Sequence, residues 1–276
     1  MRALRSPLVL LGVTVLVVLF VVAVFAPLIA PYDPKAASGP SLERPSVEHL
    51  LGTDDIGQDI FSLLVWGTRQ SLIVGIGAAT LAIVTGVLVG VVAGLIGGLV
   101  DTLAMRVVDV ALALPRLPLL VLIAALAGVN RVVLVLVIGL VTWPETARIV
   151  RSQTLALRDR GFVDSARGFG GGLAYVVRRH LVPALGPILV AGFVTTAGQA
   201  VLMEAGLAFL GLADPTAVSW GLVLNRALVF PGLYFTSLWV WWVLPAGFAI
   251  AMTVLGLTFL GVGLEPLLNP RLTTTR

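Results

Sequence analysis

The chain has 276 residues, 58% hydrophobic and only 12% charged, with a mean hydropathy of +1.06 and a formal net charge of +4. A water-soluble chain carries about 25% charged residues, so a water-facing globule is excluded, whereas six apolar spans of roughly 20 residues would leave over half the chain for loops and termini. Collagen, coiled coil and disorder fail on periodicity and apolar content; the absence of cysteine excludes a disulfide framework and a Cys-ligated zinc site, and leaves the compartment open.

No charge occurs between Arg5 and Asp33, and Leu8 to Ala30 is almost wholly aliphatic. The run exceeds the roughly 7–15 residues of a signal-peptide core and has no clear small-x-small cleavage site, so it is predicted as an uncleaved first membrane helix. Residues 31–70 change character. Pro31, Pro34, Pro40 and Pro45 break structure, six of the fourteen acids lie here, and His49 reads as a solvated loop residue. This is expected to be an aqueous segment ending in a short amphipathic helix near Ile60 to Trp66.

The second span is predicted at Leu72 to Gly94 and the third at Val107 to Ala127, the latter carrying Pro115, Arg116 and Pro118. The fourth covers Val132 to Ile149 and the fifth Leu185 to Ala205. The uncharged stretch from Ala227 to Leu264 is too long for one crossing, so the sixth is set at Leu238 to Leu260 with an interfacial segment before it. The chain thus divides into 1–30, the aqueous 31–70, a five-helix core at 71–270 with a polar loop at 148–183, and a tail at 271–276. Six spans put both termini on one side. Twelve basic residues fall on that side, against Lys35, Arg44, Arg69, Arg131 and Arg226 on the other, which predicts cytoplasmic termini. Trp220, Phe230, Tyr234, Phe235, Trp239, Trp241 and Trp242 are expected to form an aromatic belt at the outer end of the sixth span.

Charged groups in or near spans are functional suspects. Arg116, Glu145 and Glu204 are candidates to line a pathway or meet peptide termini, with snorkelling to an interface as the alternative. Arg106 and Asp109, three apart on one helix face, are expected to pair. His180 reads as structural, and two distant histidines do not make a metal site.

The Arg148 to Pro183 loop holds seven of the twelve terminal-side arginines and is far longer than the roughly 2–8 residues a bundle connection needs. Arg151 to Arg160 and Phe162 to Phe169 read as short amphipathic helices, with Gly170, Gly171 and Gly172 breaking the chain after them. By charge alone, attraction to anionic lipid, at about 1 kcal/mol per basic residue, and docking to a cytoplasmic partner stand equal.

Asp164-Ser165-Ala166, three residues, Gly170, then His180 and Pro183 resembles the EAA loop of bacterial ABC importer permeases, the segment that contacts the ATPase subunit. More narrowly, the chain resembles the second inner-membrane permease of the dipeptide/oligopeptide/nickel importer family over nearly its full length. The blocks that carry this are residues 25–34 (FAPLIAPYDP), residues 51–59 (LGTDDIGQD), Gly97-Gly98-x-x-Asp101 leading to Met105-Arg106-x-x-Asp109, Phe209 to Leu212 leading to Ser219-Trp220-Gly221, and Asn269-Pro270-Arg271. The chain departs from that pattern at Asp164 (usually Glu), Ser165 (Ala), Gln58 and Leu63 (often Arg), and Val262 and Asn269 (often acids). Asp164 keeps the carboxylate but is one methylene shorter.

The resemblance implies an all-α polytopic membrane protein, six transmembrane helices in the type I ABC importer (MetI-like) permease fold. It implies an importer subunit of the bacterial cytoplasmic membrane with no catalytic centre and no cofactor of its own, ATP and Mg being used by two partner ATPases. Phe162, Asp164, Ser165, Ala166, Phe169 and Gly170 would dock on them, Asp164 either capping its helix or pairing with an ATPase base. Further partners would be a second permease, an extracytoplasmic solute-binding protein and lipid, with no nucleic acid. Short peptides are the expected cargo; nickel, metal chelates or glutathione are alternatives. A secondary transporter or channel would show paired intramembrane ionisable groups and inverted halves; an intramembrane enzyme would show a Ser/His/Asp or metal constellation.

Overall fold

The computed structural model describes residues 7–128, 130–158, 160–161 and 172–268. Its helices are α1 (Pro7–Val24), α2 (Ala26–Ile29), α3 (Ile60–Ile96), α4 (Gly98–Ala113), α5 (Arg116–Ala127), α6 (Arg131–Arg158), α7 (Leu173–Val176), α8 (Val182–Phe209), α9 (Trp220–Val229) and α10 (Leu238–Leu268). A π-helical turn at Val177–Leu181 joins α7 to α8, and a 3-10 turn at Leu233–Phe235 precedes α10. Among the described residues the only β pairing is an isolated bridge between Thr53 and Asp59. Five helices are long and apolar enough to cross a membrane, and a sixth crossing exists if α4 and α5 form one broken span. The chain is a multi-pass membrane protein. The 31–59 loop, the α5–α6 turn and the 214–218 segment meet at one end of the bundle, here called the loop end.

The hub is α3, which packs on α6 and α8 and also touches α1, α4, α9 and α10. At 37 residues it is about 56 Å long, far more than the roughly 30 Å hydrocarbon core requires. The helix expected near Ile60 to Trp66 and the span expected from Leu72 are this one helix. Gly67 does not break it; its bare Cα makes room for Trp220, whose indole Nε1 donates to the Leu64 carbonyl at 3.0 Å. Further along, Gly86, Gly90 and Gly94, four residues apart, form a groove for Thr146, Ala147, Val150 and Thr154 of α6. In lipid no hydrophobic effect pulls helices together, so close approach along small residues supplies the dispersion contact that does. The same device joins α1 to α10 through Gly12 and Gly263.

The third span, expected from Val107 to Ala127, is instead two helices bent by 86°. The cause is local. Pro115 disfavours helical geometry at the residue before it, and Leu114 is extended with ψ 133°. Pro118 then falls in the first turn of α5, where a missing N–H is no loss. Asp101 pairs with Arg151 and Asp109 with Arg148. Eight residues of α4 therefore match only three of α6, and α4 crosses α6 obliquely. Asp109 thus reaches across to α6 rather than along its own helix to Arg106. Beyond the bend, α5 runs antiparallel to α6, Leu120 and Ala124 packing with Leu134 and Ile138. Its 12 residues span about 18 Å, little more than half the hydrocarbon core.

The aromatic cluster divides. Trp220 and Trp242 are fully buried at the centre of a core with Ile60, Leu63 and Val201, and Phe230 lies 6.0 Å from Trp242. Tyr234, Phe235 and Trp239 are the exposed members. Folding α9 back against α8 and α10 draws Trp220 and Trp242 out of the expected belt.

Candidate functional site

Two of the three charged residues expected in the spans come together. Arg116, the first residue of α5, donates from Nη2 to Glu145 Oε2 of α6 at 2.7 Å, and its Nη1 lies 3.5 Å from Gln199 Oε1 of α8. Counted from the loop end, Arg116 lies eleven residues in from Ala127, Glu145 fourteen in from Arg131 and Gln199 ten in from Phe209. At 1.5 Å per residue these places lie about 16, 21 and 15 Å along their helices from the loop end, comparable with half of a roughly 30 Å hydrocarbon core or a little more. The bend at Pro115 makes this possible, because it starts a helix at mid-depth with a guanidinium at its head. The pair is not sealed inside the chain: the side chains are 29% and 51% exposed. Charged side chains within a bilayer face protein or a water-filled space rather than acyl chains.

Glu204 does not join them. It is 1% exposed, accepts from Ser71 Oγ at 3.1 Å, and is hydrogen-bonded also by Ser219, the residue that caps α9 through Leu222 N. It ties α3, α8 and α9 together inside the chain, away from the exposed face that Arg116 and Glu145 share.

The acidic 31–59 loop is folded, not merely solvated. Asp59 caps α3 by accepting from Ser62 N at 2.7 Å with Oδ2, while Oδ1 meets His49 Nδ1 at 3.0 Å. His49 is 2% exposed and stacks 4.8 Å from Tyr32, which corrects its reading as a solvated residue. A carboxylate that can hold a helix end and an imidazole at once draws both into the interior. Gly52, at φ 71°, turns the chain where any Cβ would collide with the Glu43 carbonyl. Asp54 is fully buried. Its Oδ1 accepts from Ile56 N and Gln58 N, its Oδ2 has no hydrogen-bond partner, and Arg226 Nη1 stands 4.0 Å from that oxygen. Burial pushes its carboxyl above the ordinary aspartate value of 3.8, against the two backbone N–H bonds that lower it. Arg226 itself donates to Gln58 Oε1 at 2.9 Å and to the Pro215 carbonyl at 3.2 Å, clamping the loop to α9.

Phe162, Asp164, Ser165, Ala166, Phe169 and Gly170 lie outside the described residues. On their N-terminal side is the end of α6, where Arg151 grips Asp101 through Nε and Nη2, and Arg158 Nη1 donates to the Gly94 carbonyl at 3.1 Å. On their C-terminal side is the π turn, in which His180 meets Tyr175 edge-on at 5.7 Å.

Residues 86–274 match the family described as "Binding-protein-dependent transport system inner membrane component", and residues 1–45 match the "N-terminal TM domain of oligopeptide transport permease C". The chain belongs to the binding-protein-dependent transport permeases. Along nearly its whole length this permease is similar to named relatives. It is 36% identical over 273 residues to a Brucella suis biovar 1 protein named "Putative peptide permease protein", covering 98% of this chain and 89% of that one. It is 35% identical over 275 residues to the "Dipeptide transport system permease protein DppC" of Alkalihalophilus pseudofirmus, covering 97% and 87%. These matches fix it as an ABC-transporter permease of the dipeptide/oligopeptide type, a membrane subunit with the all-α MetI-like fold.

Two features of the permease escape the reading of its sequence. Gln199 carries no formal charge, so nothing marks it among the polar residues of the fifth span. The Gly86, Gly90, Gly94 spacing is a readable small-xxx-small signal, and the rule would have found the α3–α6 seam.

Proposed function

We propose that this permease forms one half of the membrane channel of an ATP-driven importer of short peptides. The loop end faces outward, toward a solute-binding protein, and both termini lie in the cytoplasm of a bacterial cell. The observation that carries the reading is the Arg116–Glu145 pair with Gln199, partly exposed about midway along the helices that hold it. A second permease set against that face would enclose it as the wall of a shared route, where a guanidinium, a carboxylate and an amide suit the ends and backbone of a peptide better than acyl chains. Peptide cargo is supported by the names of the relatives that align along the chain.

The subunit holds no ATP. Two partner ATPases bind ATP with Mg and close, and the loop around Phe162, Asp164, Ser165, Ala166, Phe169 and Gly170 receives their motion. The Asp101–Arg151 grip and the Gly86–Gly94 seam support this reading, because a docked loop transmits displacement only if the helix it extends is held rigidly. Glu204 serves as an internal tie. The test is uptake of a labelled di- or tripeptide by vesicles holding the complete complex, with Asp164→Ala and Gly170→Pro as variants. Loss of uptake and of ATPase co-purification is expected. Retention of both by both variants would remove the coupling role, and ATP-dependent uptake of nickel or glutathione but not peptide would move the cargo.

A further inference from the structure

A cavity of about 1020 Å³ lies at the loop end, between the 27–35 segment, the head of α3, the α5–α6 turn and the 214–218 segment. Three cations line it, Lys35, Arg69 and Arg131, with two acids, Asp33 and Asp214. The acids are oriented by their own loops. Asp33 Oδ1 accepts from Lys35 N at 2.9 Å, and Asp214 Oδ1 accepts from Thr216 N and Oγ1 at 2.8 and 2.7 Å. Those bonds from Thr216, helped by the charge of Lys35, hold the Asp214 carboxyl below its usual range, so it is ionised at neutral pH.

An independent observation points to a ligand. Gln70 lines the same cavity from α3, is only 4% exposed, and its Oε1 is buried with no hydrogen-bond partner. A buried amide oxygen left without a donor is costly, and what it lacks is an N–H. A ligand that answers all of these groups carries an N–H or ammonium for Gln70 and the acids, and a carboxylate for the cations. A short peptide with free ends has both. Three extended residues measure about 10 Å, and the cavity is at the upper end of the roughly 300–1,000 Å³ usual for ligand sites.

We propose that this cavity is a receiving site for a zwitterionic peptide of two to four residues, its ammonium beside Asp33 and Asp214, an amide N–H on Gln70 Oε1 once that side chain turns toward the cavity, and its carboxylate among Lys35, Arg69 and Arg131. The inference rests on the peptide-import reading above and adds to it a second station, some 15 Å above the mid-depth pair by the helix rise. Specificity for free ends then resides in this chain as well as in the binding protein.

The experiment uses the complete complex, with binding protein and ATPases, in lipid nanodiscs. A tripeptide bearing a photoreactive diazirine on its central residue is irradiated during turnover and the adducts are mapped. Adducts on residues 66–73 or 130–132 of this chain are expected. Amidating the peptide's C-terminus, or Arg69→Gln or Arg131→Gln in the protein, should each cut labelling about ten-fold, as loss of one charge-assisted contact does. Gln70→Leu should do the same; the two arginine variants, both at exposed positions, keep the test valid should that buried change harm folding. Uptake with adducts only elsewhere, or labelling indifferent to amidation, overturns this inference and leaves the importer reading intact. Displacement of the probe by glycerophosphoethanolamine as readily as by unlabelled peptide assigns the cavity to lipid headgroups and overturns it too. A complex that takes up no short peptide overturns both readings.

Discussion

Gly90 of α3 lies directly against the Ala147 carbonyl of α6: a Cβ at position 90 would sit 2.6 Å from that oxygen and 2.9 Å from Arg151 N. Backbone cannot step aside as a side-chain tip can. Gly90→Leu is therefore expected to cost about 3 kcal/mol by forced overpacking, and to lower the thermal midpoint of the detergent-purified complex. Gly247 of α10, which has nothing within 4 Å of a built Cβ, is the control. Gly247→Ala should leave the midpoint unchanged or raise it, since alanine restrains the unfolded chain by about 0.4–1 kcal/mol. Equal losses at both positions would mean that the seam has no special tightness.

Much of this fold is legible in the sequence because bilayer physics is one-dimensional: long uncharged runs bounded by charge give α1, α6, α8 and α10 to within a few turns. The failures share one origin. Hydropathy reports depth and says nothing of direction, so the run from Val107 to Ala127 reads as one straight helix although Pro115 breaks it into two helices bent by 86°. The sequence raises Arg116 and Glu145 as suspects; only the bend brings them to the same depth, beside Gln199. His49 misleads for a related reason. It is polar in a proline-rich loop, yet Asp59 and Tyr32 enclose it through contacts at separations that no local pattern encodes.

The buried carboxyl of Asp54 makes the stability of the 31–59 loop depend on pH. Its folded pKa is raised, so the folded state holds the proton more tightly than the unfolded chain does; the stabilisation is fully present below the ordinary value of 3.8 and is lost as pH rises through the raised value. Asp54→Asn keeps an oxygen for Ile56 N and Gln58 N and removes the charge that burial disfavours. The variant should match or exceed the parent in stability at pH 7 and lose the decline above pH 4. Proteolysis of the 31–59 loop followed against pH measures this directly. The N–H bonds from Gln58 and Ile56, and more weakly the charge of Arg226 at 4.0 Å, oppose the burial, and a marked loss of stability in Asp54→Asn at pH 7 would show that together they outweigh it.

For the mid-depth pair, stability and transport should come apart. Arg116→Met leaves Glu145 without its cation, at a cost of about 1 kcal/mol rather than the 3–5 of a sealed pair, because both side chains are partly exposed. The double variant Arg116→Met with Glu145→Met should recover that stability, as replacement of an ion pair by apolar residues often does. Peptide uptake should remain at least ten-fold down in the double variant, since only the neutral Gln199 amide is left of the station. Thermal midpoint and initial uptake rate, measured on the same preparations, separate the two effects. Wild-type uptake by the double variant would make the pair purely structural.

Asp101 and Arg151 hold the base of the loop that leads to the proposed ATPase contact. The guanidinium grips both carboxylate oxygens, with Nη2 to Oδ2 at 2.6 Å, and so fixes the angle at which α4 crosses α6 as well as the distance. Gly97 and Gly98, at φ 69° and 57°, turn the chain so that Asp101 falls in the first turn of α4, where its charge also suits the helix dipole. Arg151→Lys keeps the charge but not the fork. The cost in stability should be about 1 kcal/mol, and the larger effect should be on coupling. ATPase activity of the complex would persist, while its stimulation by loaded binding protein would fall several-fold, because α6 no longer carries the 148–183 loop at a fixed angle. Asp101→Glu with Arg151 kept, which can re-form a two-pronged contact after a small shift, should retain part of the stimulation, whereas Asp101→Glu combined with Arg151→Lys should not. Full stimulation in Arg151→Lys would place the rigidity of this region elsewhere, in the Gly86, Gly90, Gly94 seam alone.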